Sequence, residues 1–518
     1  MFLKKNIFVF LLIVFFVSYI KSAPIELTIL FTNDTNGHPL SFSYNGDEGQ
    51  GGIPARATLI KKLAGDKKKN NVLILDSGGF LIGRPESNLF DGVPDIAGMN
   101  ACGYDAVGFG MSEIYDSKKK FEMINKQADF YMLSSNIKVL NFSKNEQDIA
   151  DTEMIKVFGG ISGVKVGIFS VISEDVRPFL SEQAGKEFVI TDPIKEAKDR
   201  VENLKTKQKV DIVIGLTYLG YFPDDSRIGS RTLASSVPGI DIIIDGKTGL
   251  KLEEPSIVNN TRIFQAFKWG LFVGEIKLKI DKKKIIDVQY KLHPVNYKEK
   301  GVLIGDKLEE DKQVLTAIKG KMKNFDNLLA KKIVTIKDGN FPIKNIRKDE
   351  NEFGNLICDA LLNFTKTNVA FQNSGGIIDT TIDISKITRK SFDDAIKYDN
   401  SVIVVNMTGA EIKQALEFST KRMGYGSFLQ VAGIRFTYSK TNGSISNIKI
   451  QDKELIEDNV YKVTINSWIA DGGDGYTVFK NIPFKNDLNI LVREVVYDYL
   501  EKSGNYKPYI DGRINIIE

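Results

Sequence analysis

Leu27-Thr28-Ile29-Leu30-Phe31-Thr32 runs straight into Asn33-Asp34-Thr35-Asn36-Gly37-His38. An unbroken apolar and β-branched run ending in polar, turn-forming residues reads as a buried strand with functional side chains at its carboxyl end. Open α/β sheets carry their sites at that end. The chemistry of the first half therefore depends on the turn after each strand.

Further short apolar runs alternate with helical or loop segments: Val72–Leu75, Ala106–Phe109, Phe130–Leu133, Val164–Val171, Asp211–Leu216 and Ile240–Ile244. The alternation predicts a layered α/β sheet domain over 25–300. A chain of 518 residues exceeds one core, so a second domain is expected over 336–518. Between them, 301–335 reads as a linker containing one helix over 308–332, with Val314, Ile318, Met322 and Leu328 at helical spacing. Lys282-Lys283-Lys284 marks a charged hairpin tip. In the second domain Phe353, Leu356, Ile357, Ala360, Leu361 and Phe364 form one apolar helical face. Thr408-Gly409-Ala410-Glu411 is a capping box that opens another helix.

Residues 1–23 carry Lys4 and Lys5, an apolar run Ile7 to Val17, and small residues Ser22 and Ala23, the pattern of a secretory leader. The chain is expected to be exported, to the periplasm or the medium, or tethered if the leader is retained. Three of the charges in the formal +4 are Lys4, Lys5 and Lys21, which leaves the mature chain near +1. That balance gives no footing for nucleic acid. Cys102 and Cys358 fall in different domains and read as buried free thiols. With His38 and His293 the only histidines, a metal site rich in cysteine or histidine is excluded.

The strand-end turns, taken together, resemble those of the 5'-nucleotidase family, secreted two-domain metallophosphoesterases. The resemblance implies a calcineurin-like metallophosphoesterase sandwich followed by an α/β 5'-nucleotidase C-terminal domain. In the family the first turn reads Asn-Asp-X-His-Gly-His; here Asp34 is kept and Asn36 stands at the ligand His. Asp76-Ser77-Gly78-Gly79 resembles Asp-X-Gly-Asp, with Gly79 at the carboxylate that bridges the metals. Gly110-Met111-Ser112-Glu113 resembles Gly-Asn-His-Glu, with Met111 at a ligand and Ser112 at the leaving-group His. Tyr218 replaces another ligand His, and Lys247 and Gly249 occupy the last two ligand positions. A two-metal phosphoesterase needs donors that hold cations about 3.5–4 Å apart around a shared ligand. Of these positions Asp34 alone keeps a strong donor, so Asp34 and Asn36 read as vestiges and no catalytic residue is assigned. Lys247 is expected to stand in for the missing metal charge and pair with Asp34. A second reading rebuilds a hard-oxygen Mg²⁺ or Ca²⁺ site from Asp76, Asp105, Glu113 and Asp245.

In the second half, Arg347 to Ala360 resembles the family's Arg-X-X-Glu-X-X-X-Gly-Asn-Leu, and Phe428 to Gly433 its Leu-Gln-Val motif. Asn373-Ser374-Gly375-Gly376-Ile377-Ile378 stands for Asn-Gly-Gly-Gly-Ile-Arg, so Ile378 has lost the arginine that meets substrate. Lys397-Tyr398-Asp399-Asn400 stands for Pro-Phe-Gly-Asn, and Ile465 to Tyr476 contains the Gly-Gly-Asp-Gly loop. The resemblance implies a base clamped by Tyr398 and Trp468. Asp474 would accept from ribose hydroxyls, Asn373 and Asn400 would meet the base edge or sugar, and Arg347 a phosphate. Aromatic stacking contributes about 1–3 kcal/mol per base and tolerates different bases. The expected function is binding of a nucleoside, base or nucleotide without hydrolysis and without a cofactor. The alternatives are an active nucleotidase using a rebuilt divalent-metal site, and a surface interaction protein on the same scaffold, whose partner protein the sequence does not name.

Overall fold

The computed structural model describes residues 24–518 apart from Asn45, Lys68, 141–145, 161–162, 224–226, 333–334, 337–342, Lys344, 379–386 and Lys397. The expected leader lies outside the described residues.

Two six-stranded sheets build the first half. In one, Ile25–Thr32 sits between the antiparallel strand Phe272–Asp281 and the parallel strand Val72–Asp76, followed by Ala106–Val107 and Tyr131–Met132. In the other, Val164–Ile172, Ile212–Tyr218 and Ile242–Asp245 run parallel. The period of two decides which sheet face each side chain takes. Leu27, Ile29 and Phe31 enter the core between the sheets with Ile168, Ile214 and Ile244. Leu30 points outward instead, joining Ile60 and Met99 of the covering helices. This yields the expected layered sandwich, with the carboxyl ends of Ile25–Thr32, Val72–Asp76, Ile212–Tyr218 and Ile242–Asp245 on one rim. The Lys282–Lys283 tip turns the hairpin of Phe272–Asp281 and Lys284–Pro294, both lysines at positive φ.

The segment read as one helix over 308–332 forms two, Lys312–Lys321 and Phe325–Leu329. Asn324 adopts a left-handed conformation at φ 60°, which ends helical continuity. Nor is the first helix a free connector. Val314 and Ile318 are fully buried, Ile318 lies against Gly98, and Asp311 caps the helix while pairing with Lys61 at 2.6 Å. The helix expected to link the two domains is fastened to the first half.

The second half holds a mixed five-stranded sheet in the order Leu429–Ala432, Val369–Asn373, Val460–Asn466, Ser401–Thr408, Lys485–Leu491. The helix Glu352–Thr365 buries the face expected from the sequence, with Asn351 accepting from the Phe353 and Gly354 amides. The capping box of Thr408 and Glu411 is formed. Cys102 and Cys358 are buried free thiols.

Candidate functional site

The strand-end rim of the first half is buried and internally bonded. Asp34 is fully buried; it accepts from the Asn33 side chain at 2.9 Å and from the Lys247 backbone amide at 2.8 Å. Burial, reinforced by nearby Asp245 and Asp76, pushes its carboxyl up to about 8. A group with that value is mostly neutral at pH 7. Asn36 folds onto its own loop, donating to the Asp34 carbonyl at 3.0 Å.

The expected pairing of Lys247 with Asp34 is not made by the ammonium. Only the backbone amide reaches Asp34, because Lys247 turns through a left-handed conformation at φ 79°. Its Nζ goes to both carboxylate oxygens of Asp175 at 2.6 Å. Gly79 leaves no empty bridging position. A Cβ there would lie 2.8 Å from the Tyr218 ring and 3.3 Å from an Asp34 oxygen, so Tyr218 fills the space. Tyr218 is 3% exposed, and burial drives its hydroxyl pKa well upward. Met111 is buried in the apolar core, Ser112 donates to Glu113 at 2.6 Å, and Gly249 packs against Lys268.

The four carboxylates of the rebuilt-site reading do not converge. Asp105 precedes its strand rather than following it, and it pairs with Lys67 and Lys156 at 2.9 Å. Glu113 is wrapped by the amides of Gly79, Phe80, Leu81 and Gly110. Asp76 accepts from Thr32 and from the Gly78 amide. Asp245 accepts from Thr217 and Gln265 at 2.7 and 2.8 Å and from the Leu219 and Gly220 amides. Each of these oxygens holds the fold's own donors, which a cation would have to displace. Among the described residues no group of three or more His, Cys, Asp or Glu is arranged to hold a metal ion. The donor set does not fit a pair of divalent cations.

In the second half three glycine loops converge instead. The Asn373 side-chain amide donates to Asp474 at 2.6 Å, and the Gly375 amide donates to the Gly426 carbonyl at 2.7 Å. Asp474 sits at φ 56° between glycines, which turns its carboxylate toward Gly375. Asn466 fixes Asn373 in turn, donating to its side-chain oxygen at 2.7 Å. Trp468 lies across Gly473, where a Cβ would stand 2.4 Å from the indole. Tyr398 approaches the same end of the sheet, since Val402 pairs with Asn466 and the Ser401 amide donates to Ser467 Oγ at 3.1 Å. Both rings are 49% exposed, unlike the core aromatics. Asn400 shapes the Tyr398 turn through its backbone, its amide bonding the Tyr398 carbonyl at 2.9 Å. Arg347 is exposed, and its carbonyl receives the Gly424 amide at 2.7 Å, which places it beside the same loops.

Gln430 was visible in the Leu-Gln-Val motif without a role. It donates to the carbonyls of Ile346 and Asp349, anchoring the turn that carries Arg347. Asp175, Arg84 and Arg493 gave no sequence signal; their partners are distant in the chain.

This is the architecture of a two-domain protein with a metallophosphoesterase-type sandwich and a second α/β unit. Residues 332–481 match the family described as 5'-nucleotidase, C-terminal domain. A 5'-nucleotidase of Vibrio cholerae is 30% identical, the alignment covering 92% of this chain and 91% of that one. The solved NAD nucleotidase of Haemophilus influenzae has the same fold, with a TM-score of 0.78, 21% identity and coverage of 96% and 100%. A 5'-nucleotidase precursor of Thermus thermophilus matches with a TM-score of 0.54, 25% identity and coverage of 95% and 99%. The chain belongs to the 5'-nucleotidase family. Among the described residues no helix is long and apolar enough to cross a membrane.

Proposed function

We propose that this chain is an exported nucleoside- or base-binding member of the family that does not hydrolyse phosphate esters. The observation that carries this reading is the contrast between the two halves. At the family's metal positions a tyrosine ring, a lysine paired with Asp175 and a buried carboxyl held by Asn33 and the Lys247 amide fill the space. In the second half Tyr398 and Trp468 stay half exposed and Asp474 stays partly exposed. Ile378 at the family's arginine position leaves Arg347 as the only one of the family's paired phosphate contacts and favours a nucleoside or base over a nucleotide. The names of the relatives favour a second reading, hydrolysis of a 5'-nucleotide. Phosphate release from AMP in the presence of Mg²⁺, Mn²⁺, Zn²⁺ or Co²⁺ establishes the second and ends the first.

Thermal unfolding against a panel of nucleosides tests the binding directly. A ligand at 100 times its dissociation constant stabilises by about 2.7 kcal/mol. Trp468→Ala is expected to weaken that ligand by about 1–3 kcal/mol. If no nucleoside shifts the wild-type transition, the fold serves as a scaffold and the ligand reading fails.

A further inference from the structure

A buried ion network crosses between the two halves. Asp399 lies between Tyr398 and Asn400, where the family motif carries glycine. One of its carboxylate oxygens receives Arg84 of the first half, and the other receives Arg493 of the helix Val492–Ser503. The side chains of Asp399 and Arg493 are 9% and 5% exposed. Arg493 also reaches Asp393 at 3.3 Å, and Asp393 accepts from the Tyr497 hydroxyl at 2.6 Å. Arg84 continues the network to Glu86 at 3.4 Å.

A second group of contacts comes from the strand that leads into the Arg493 helix. Asn489 donates to the Lys247 carbonyl at 3.3 Å, and Asp487 faces Lys268 at 3.7 Å. Leu491 completes a small cluster with Phe42, Trp269, Leu271 and Phe272 of the first half. The Val492 amide bonds the Asn400 carbonyl at 2.9 Å, which ties this strand end to the Asp399 turn. The turn, the strand end and the helix start therefore dock as one piece, and Asn489 covers the rim around Lys247.

We propose that Asp399 is an interdomain latch that holds the second half docked over the former metal rim of the first. Drawing the halves apart separates Arg84 from Asp399, leaving Arg84 with Glu86 at 3.4 Å and Asp399 with Arg493 alone. Removing Arg84 alone leaves the buried Asp399 carboxylate with one cation in place of two, and deleting one partner of a buried ion pair is strongly unfavourable. The latch does not depend on the nucleoside reading, since its ion pairs involve neither Trp468 nor Asp474.

Trp269 supplies the readout. It is 3% exposed in the cluster that Leu491 completes, and Trp468 is the only other tryptophan. In the full chain carrying Trp468→Phe, Trp269 is expected to emit in the blue and to resist acrylamide. Adding Arg84→Met, which lies outside the second half, is expected to move the emission to the red and raise quenching about threefold, below the unfolding transition. Asp399→Asn is expected to do the same, and Arg84→Lys to fall between. If Arg84→Met leaves Trp269 as shielded as in its parent until the protein melts, the latch is overturned. It is equally overturned if Asp399→Asn exposes Trp269 only by unfolding the second half, seen as loss of its circular dichroism.

Discussion

Replacing Asp34 by Asn is expected to change the pH dependence of stability more than any other single substitution on the rim. Burial holds the native Asp34 carboxyl at about 8, Asp95 at about 7 and Asp76 at about 6. All three lie above the ordinary carboxylate range near 4 that the unfolded chain shows. Between pH 4 and 8 the native state therefore binds more protons than the unfolded state, and stability falls as pH rises. Once the pH passes the native value of each group, its share of the loss is complete. Each group contributes a slope approaching about 1.4 kcal/mol per pH unit within its own window. Asp34→Asn removes the widest of these windows, so the difference in stability between variant and wild type grows steadily in the variant's favour from pH 5 to pH 8. Urea unfolding at a series of pH values reads this directly. A divalent ion at Asp34 would hold it ionised and flatten the wild-type slope, so an unchanged slope in the variant means that the carboxyl is charged in the native protein.

Restoring the family's bridging carboxylate with Gly79→Asp is expected to be severely destabilising and to restore nothing. Three separate penalties meet at this position. Gly79 has φ 71°, which a side chain adopts only with strain. The new Cβ would overlap the Tyr218 ring at 2.8 Å. The new carboxylate would be buried beside Asp34 and no lysine would face it, since the Lys247 ammonium is engaged by Asp175. Together these should cost more than about 4 kcal/mol, the range reserved for buried clashes and unpaired charges. Pairing the change with Tyr218→Ala makes the space, and the two substitutions should couple favourably by about 1–3 kcal/mol. If Gly79→Asp alone folds with wild-type stability, Tyr218 does not fill the bridging position and the description of the rim is wrong.

Local pattern carried much of this fold into the sequence. The Ile25–Thr32 strand and the Glu352–Thr365 helix are legible because each element's period puts its apolar residues on one face. Tyr398, Trp468 and Asp474 were singled out through a resemblance spread over many short motifs; of these the structure brings Asp474 within 2.6 Å of Asn373. Where the reading went astray, the decisive contacts were long-range. Lys247 was assigned to Asp34 by motif position, yet the left-handed turn at Lys247 sends the ammonium to Asp175 instead. Asp105 was grouped with Asp76, Glu113 and Asp245 although it stands before the run Ala106–Phe109; Lys67 and Lys156 hold it at the start of that strand. The break at Asn324 follows from one backbone conformation that helical periodicity does not register. The Asp399 network joins residues 315 positions apart, and no local signal announces it.

The most direct test of the account is the divalent-metal content of the purified, undialysed protein by elemental analysis. A rim closed by Tyr218, a buried Asp34 bonded to Asn33 and the Lys247 amide, and a Lys247 ammonium engaged by Asp175 predicts no stoichiometric zinc, manganese, cobalt or magnesium. Two divalent ions per chain, retained through purification, would contradict it.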